Sequence, residues 1–185
     1  MEYNLHTPIT KEDIKKLHIG DIVHITGTIY TARDAAHKRL VDLIKKGEEL
    51  PLDLNGAIIY YVGPTPAKPG NPIGSAGPTS SYRMDAYMKP IMEQGSIISI
   101  GKGPRSDETR SLIKEFGGMY LSTIGGAAAS IGKSVKKRDL IAYPDLGAEA
   151  IQKLEVEDFY AIVSYDSYGE DLFKQGIENY KNGLK

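Results

Sequence analysis

Strands that alternate with helices, turn signals between them and no internal repeat predict a single α/β domain over residues 1–185. In chain order, Thr10 caps a short helix over 10–19 that Gly20 closes. DIVHITGTIY, residues 21–30, alternates as a strand with a glycine in its middle. Thr31-Ala32-Arg33-Asp34 gives a capping-box-like T-x-x-D. A helix follows to about Lys46, with Ala36, Leu40, Leu43 and Ile44 close to one face. AIIYYV, 57–62, is a buried-type strand, and GPTPAKPGNPIGSAGP, 63–78, has proline or glycine at more than half of its positions. Helix signals resume at once after it, so it reads as an ordered, functional loop. A helix over 80–94 contains Pro90. SIISI, 96–100, is a strand that ends in Gly101-Lys102-Gly103-Pro104-Arg105. Ser106, Asp107 and Glu108 open the next helix, and Gly117-Gly118 end it. Strand MYLSTI, a small-residue turn GGAAAS and strand DLIAYP follow. A short helix near 148–154, strand FYAIVSY and a C-terminal helix near 169–182 complete the chain.

Composition removes several function classes. Hydrophobic residues make up 41% and charged residues 25%, ordinary values for a globular protein. With 23 basic and 24 acidic side chains the net charge is -1, so no general electrostatic pull toward nucleic acid or membrane follows. MEYNLHTPITKEDIKK has no apolar core behind a basic start, and no apolar run approaches a membrane span. The expectation is a cytoplasmic protein. Cysteine is absent. The chain therefore cannot form a disulfide, use a thiol nucleophile or supply thiolate ligands, and a cofactor that needs them would sit on another polypeptide.

Familiar motifs fail on inspection. Gly132-Lys133-Ser134 looks like the end of a phosphate-binding loop, but position 127, where that motif needs glycine, is alanine. Gly101-Lys102-Gly103 lacks the third glycine of a dinucleotide fingerprint. Ser75 has Ile73 two residues before it, so it is no nucleophile elbow. His6, His18, His24 and His37 lack paired metal spacing.

Three cations stand out by location instead. Arg33 falls at the start of a helix, where unpaired N–H groups and the macrodipole already favour an anion. It either joins them around a bound anion or pairs with Asp34 or a neighbouring element. Arg83 repeats the situation behind Thr79, Ser80 and Ser81, any of which can cap a helix; the alternative is a solvated surface arginine. Lys102 sits between glycines at the carboxyl end of a strand, a frequent ligand position in α/β sheets, or is a turn lysine without a role. Together the three suit a small dianion such as a dicarboxylate. On the residues alone, Asp85 or His37 is the natural general base.

TGTIYTARDAAHKR, NGAIIYYVGPTP, GSAGPTSSYRMD, the IGKG turn and the GGAAA segment together resemble the β subunit of class I fumarate hydratase. The same sequence type forms the C-terminal domain of single-chain class I fumarases and the β subunit of L-tartrate dehydratase. The resemblance runs over roughly residues 15–175 and implies a domain of the swivelling β/β/α type. It implies reversible hydration of fumarate to (S)-malate at a [4Fe-4S] cluster held by cysteines of a partner α subunit. This chain would close over the cleft in a hetero-oligomer; the sequence leaves open whether the isolated chain forms a homodimer. Arg33, Arg83 and Lys102 take the family's substrate-binding positions, and Thr79 that of the proposed catalytic base. Ser80-Ser81 departs from a segment that is often threonine-rich. A neutral hydroxyl is a poor base near neutral pH, so Thr79 would need electrostatic activation. L-tartrate dehydration and a non-catalytic anion-binding or assembly module remain as alternatives.

Overall fold

The computed structural model describes residues 1–183. Its strands are β1 (Glu2–His6), β2 (Ile22–Thr31), β3 (Ile58–Tyr60), β4 (Ile98–Gly101), β5 (Met119–Ser122), β6 (Val135–Ala142) and β7 (Ile151–Tyr165). Between them lie α1 (Lys11–Lys15), α2 (Asp34–Lys46), α3 (Met88–Glu93), α4 (Asp107–Phe116) and α5 (Ala128–Ser134), and α6 (Leu172–Lys181) follows. The α/β class predicted from the alternation holds, in a mixed form. β1 to β5 run parallel to their neighbours, while β7 is antiparallel to β2, β5 and β6.

The sheet closes on itself. From β2 the pairing runs through β3, β4 and β5 to β7, and β7 pairs back onto β2. Closure gives every strand in the ring a neighbour on both sides, while among the described residues β1 and β6 have one neighbour each. Side-chain alternation then gives two cores. Ile25, Ile29, Ile58, Tyr60, Ile98, Ile100, Leu121 and Val163 cluster from the ring strands. Residues of the opposite parity, Ile59, Tyr61 and Tyr120, pack instead with Leu40 of α2, Ile91 of α3 and Ile113 of α4. A bulge lets β7 serve this closed core along its length. Between Gly27↔Val156 and Ile25↔Phe159, β7 advances one residue more than β2, and Asp158 takes a positive φ of 55°. The extra residue switches parity, so Leu154 and Val156 before it and Phe159, Ala161 and Val163 after it all join one cluster.

Several local expectations need correction. Thr31 does not cap α2: its hydroxyl is buried, donates to the Ala150 carbonyl at 3.2 Å and accepts from Gln152 N–H at 3.1 Å. The residue at the cap is Arg33, in extended conformation and with no side-chain cap. The helix expected over 80–94 is a 3-10 helix, Ser81–Tyr87, followed by α3, and no serine hydroxyl caps it. GGAAAS is helical: a short 3-10 turn leads directly into α5. The helix expected near 148–154 is strand, because Ile151 onward pairs with β2 and β6 and only 144–149 is 3-10. β1 was not anticipated at all. Thr10 caps α1 as the sequence implies, with Asp13 completing a capping box, but the helix ends at Lys16 and not at Gly20. Gly117 ends α4 in the left-handed conformation as expected, and Gly47 does the same for α2. No described helix is long and apolar enough to cross a membrane.

Candidate active site

The carboxyl ends of the parallel strands β2, β3, β4 and β5 lie side by side, and every cation singled out in the sequence leaves from one of them. Arg33 follows β2 by two residues. Lys102 follows β4 directly. Thr79 and Arg83 come from the long connection after β3, which returns to the sheet where they are needed. Val62 and Pro78 form an antiparallel bridge, and Ser80 pairs in parallel with Lys102. Thr79 N–H donates to the Tyr61 carbonyl at 2.7 Å. The proline-rich segment is thus ordered, as expected from the helix signals that follow it. Its ends are clasped where Thr65 N–H donates to the Ser75 carbonyl at 3.0 Å and Ser75 N–H to Thr65 Oγ1 at 2.8 Å.

Arg33 and Arg83 converge on one carboxylate. Arg83 Nη2 is in a close charge-assisted contact with Asp34 Oδ2, and Arg33 Nε lies 3.7 Å from Asp34 Oδ1. That second separation is too long for a hydrogen bond, and neither of those two atoms has another partner among the described residues. Arg33 Nη2 reaches Glu149 Oε1 at 3.0 Å. Glu149 is held in place by its own 3-10 turn, which Asp145 ties to α2 by two bonds to Arg39, at 2.9 and 2.5 Å. Gly63 makes room for the guanidinium, since a Cβ there would stand 3.2 Å from Arg33 Nη1. Of the sequence alternatives for Arg33, the structure shows the pairing: it meets Asp34 and an acid of a neighbouring element from the start of α2.

Lys102 differs from the arginines. Its side chain is exposed, has no carboxylate partner among the described residues and extends toward the glycines that follow β5. Its backbone, by contrast, is tightly held. Lys102 N–H donates to Ser81 Oγ at 3.0 Å, and Ser81 N–H donates to the Lys102 carbonyl at 3.0 Å. The Thr79 hydroxyl has no hydrogen-bond partner among the described residues, so it is available to a ligand.

The two residues that would serve as bases on local grounds are committed elsewhere. Asp85 accepts from Arg105 Nε at 2.5 Å and from Ser106 N–H, at the start of α4, at 2.8 Å. His37 is fully buried; its Nδ1–H donates to the Arg33 carbonyl at 2.9 Å, and burial pushes its pKa down to about 4. Sequence reasoning missed Arg105, a fully buried guanidinium between the rings of Tyr61 and Tyr120 at 5.3 and 5.0 Å. It also missed Glu149, whose neighbourhood reads as helix. The spacing of Asp85 and Arg105 carries no signal that the two would meet.

A family described as "Fumarase C-terminus" matches residues 1–176. The chain belongs to that fumarase C-terminal family. It is 45% identical over 153 residues to fumarate hydratase class I, anaerobic, of Escherichia coli K12, covering 82% of this chain and 28% of that protein. It is 41% identical over 183 residues to a putative fumarate hydratase class I of Geobacillus stearothermophilus, covering 94% of this chain and 35% of that one. The chain thus spans about a third of the length of these curated relatives. A relative of matching size is a putative L(+)-tartrate dehydratase subunit beta of Methanocaldococcus jannaschii, 40% identical over 181 residues, or 95% of this chain and 92% of that one. In this chain the segment Thr79–Arg83 and the residues Arg33 and Lys102 lie at the carboxyl ends of its parallel strands.

Proposed function

We propose that this chain is the β subunit of a hydro-lyase that reversibly hydrates fumarate to (S)-malate in a site shared with an α subunit. The observation that carries the reading is the convergence of Arg33 and Arg83 on a single carboxylate, on the strand-end face that Lys102 also leaves from. That arrangement suits a dicarboxylate, because guanidinium groups fit carboxylates through paired N–H donors. The domain is of the swivelling β/β/α type and closes its strand-end face over the partner's half of the cleft, in the cytoplasm.

A [4Fe-4S] cluster does not fit this chain. It has no cysteine, and the described residues bring no three metal-ligating side chains together. The cluster belongs to the α subunit's cysteines. This chain's own part is to bind and to move a proton. Arg33 and Arg83 hold substrate carboxylate in the place that Asp34 takes in the free chain, and Lys102 holds the second charged end. Thr79 Oγ1 takes the carbon-bound proton in dehydration and returns it in hydration. The charge that then develops on the neighbouring carboxylate is balanced by the guanidinium groups already bound to it. Arg83 and Lys102 favour the deprotonated hydroxyl, which counters the weak basicity of threonine.

L-Tartrate dehydration is the second reading, favoured by the M. jannaschii relative that matches this chain nearly end to end. One experiment separates the readings: the purified chain is mixed without oxygen with its cognate cluster-bearing α subunit and offered each diacid. Fumarate hydration that appears only in the mixture is expected. Turnover of tartrate alone would assign the second reading, and turnover of neither would reduce the chain to an anion-binding or assembly module.

A further inference from the structure

We propose that Ser81 and Tyr120 are positioning residues for Lys102, an inference that rests on the reading of Lys102 as a substrate-binding cation. The Ser81 side chain is fully buried, and the backbone it meets is that of the lysine. Tyr120 Oη lies 2.9 Å from both Ser81 Oγ and the Gly103 carbonyl. A carbonyl can only accept, so the single phenolic proton goes to Gly103 and the serine proton turns to the phenolic oxygen. Ser81 Oγ is then free to accept Lys102 N–H at 3.0 Å, while Ser81 N–H donates to Lys102 C=O at 3.0 Å. Three of the four backbone polar groups of Lys102 and Gly103, namely Lys102 N–H, Lys102 C=O and Gly103 C=O, are therefore pinned by two side chains and one amide. Burial raises the Tyr120 pKa to about 12, which keeps the phenol a donor across the neutral range.

The arrangement is built for close approach. A Cβ at position 101 would stand 1.9 Å from Ser81 Oγ, so the glycine before the lysine is what admits the serine. Gly103, at a φ of 76°, turns the chain away directly afterwards. Ser81 also lies between Thr79 and Arg83 in sequence, so its hydroxyl and its amide together tie the segment carrying that pair to the lysine. A four-carbon side chain magnifies any backbone rotation at its root, and misplacement of about 1 Å can cost up to ~100-fold in rate.

The test is a mutant cycle in the assembled enzyme, supported by amide exchange on the free chain. Ser81→Ala should lower kcat/KM by about tenfold and Tyr120→Phe in the same direction. In a Lys102→Ala background Ser81→Ala should cost less than about twofold more, because a residue that acts through the lysine has nothing left to position. Near-wild-type turnover of Ser81→Ala, or the same loss in both backgrounds, overturns the proposal. In the free chain, both variants should speed exchange of the Lys102 amide while leaving the β4 amides protected; unchanged protection of Lys102 also overturns it, and this readout stands if a variant fails to assemble. Wild-type turnover of Lys102→Ala alone overturns the reading of the site itself, and this proposal with it.

Discussion

Replacing Asp85 with alanine should unfold the chain more readily by about 3 kcal/mol, and the structure says where that figure comes from. Arg105 is fully buried, its Nε is 2.5 Å from Asp85 Oδ1, and its next polar neighbour, Ser99 Oγ, is a marginal 3.4 Å away. Breaking a buried pair from one side strands the other charge, at about 3–5 kcal/mol. The Tyr61 and Tyr120 rings stay in place and still attract the cation, and Asp85 is 15% exposed, so the lower end applies. Urea unfolding of the free chain, followed by circular dichroism, measures the loss as a lower midpoint at unchanged slope. Arg105→Met is the decisive companion. In its background Asp85→Ala should cost about 1 kcal/mol, the value of the bond to Ser106 N–H alone. A loss under about 1 kcal/mol for Asp85→Ala in the wild-type background would refute the idea that the pair holds the 3-10 helix to the β4–α4 turn.

Two further perturbations probe the same framework. His37 has a folded pKa of about 4 against an ordinary 6.5, so the unfolded chain binds the proton more readily. Its effect on stability is absent above about pH 6.5 and grows as pH falls toward 4, to about 3 kcal/mol. His37→Gln should flatten stability over that window, as read from thermal midpoints at a series of pH values, whereas the raised pKa of His24 acts at higher pH and with the opposite sign. Gly101→Ala forces its new methyl to within 1.9 Å of Ser81 Oγ and 3.0 Å of Tyr61 Cδ2. It should cost about 1–3 kcal/mol in urea, the range for overpacking, with Lys102 amide exchange accelerated.

What could be read from the sequence follows physical range. β2 announces itself by local alternation and β3 as a buried apolar run, and Thr10, Ser106 and Gly117 mark helix ends through bonds within a few residues. Arg33, Arg83 and Lys102 were visible because each is a cation at a strand end or helix start, where the local field makes it unusual. Closure of the sheet was not visible. It depends on β2 meeting β7 more than a hundred residues away and on a bulge at Asp158, where no glycine signals the positive φ. Residues 148–154 read as helix by propensity, yet pairing on both edges makes most of them strand. β1, with charged and polar residues at most positions, becomes a strand by pairing with the edge of β2. Asp34 was read as a cap or a partner of its neighbour; that Arg83, 49 residues away, shares it is a tertiary fact.

That shared carboxylate bears on how a half-site behaves. Arg33, Arg83 and Lys102 contribute three positive charges, and Asp34 and Glu149 return two negative ones. One net positive charge remains, against the two negative charges of the dicarboxylate proposed as substrate. In the open chain solvent makes up the difference, since Lys102 is exposed and Arg83 is 41% exposed. A closed, water-poor cleft removes that compensation, and an uncompensated buried charge costs several kcal/mol. On the reading proposed above, closure therefore requires further positive potential from the α subunit, or the withdrawal of Asp34 from Arg83 as substrate takes its place. Asp34 in the free chain bonds the Arg83 guanidinium and stands 3.7 Å from that of Arg33, two groups that would otherwise repel one another. The cost of displacing it falls due only when substrate and partner arrive together.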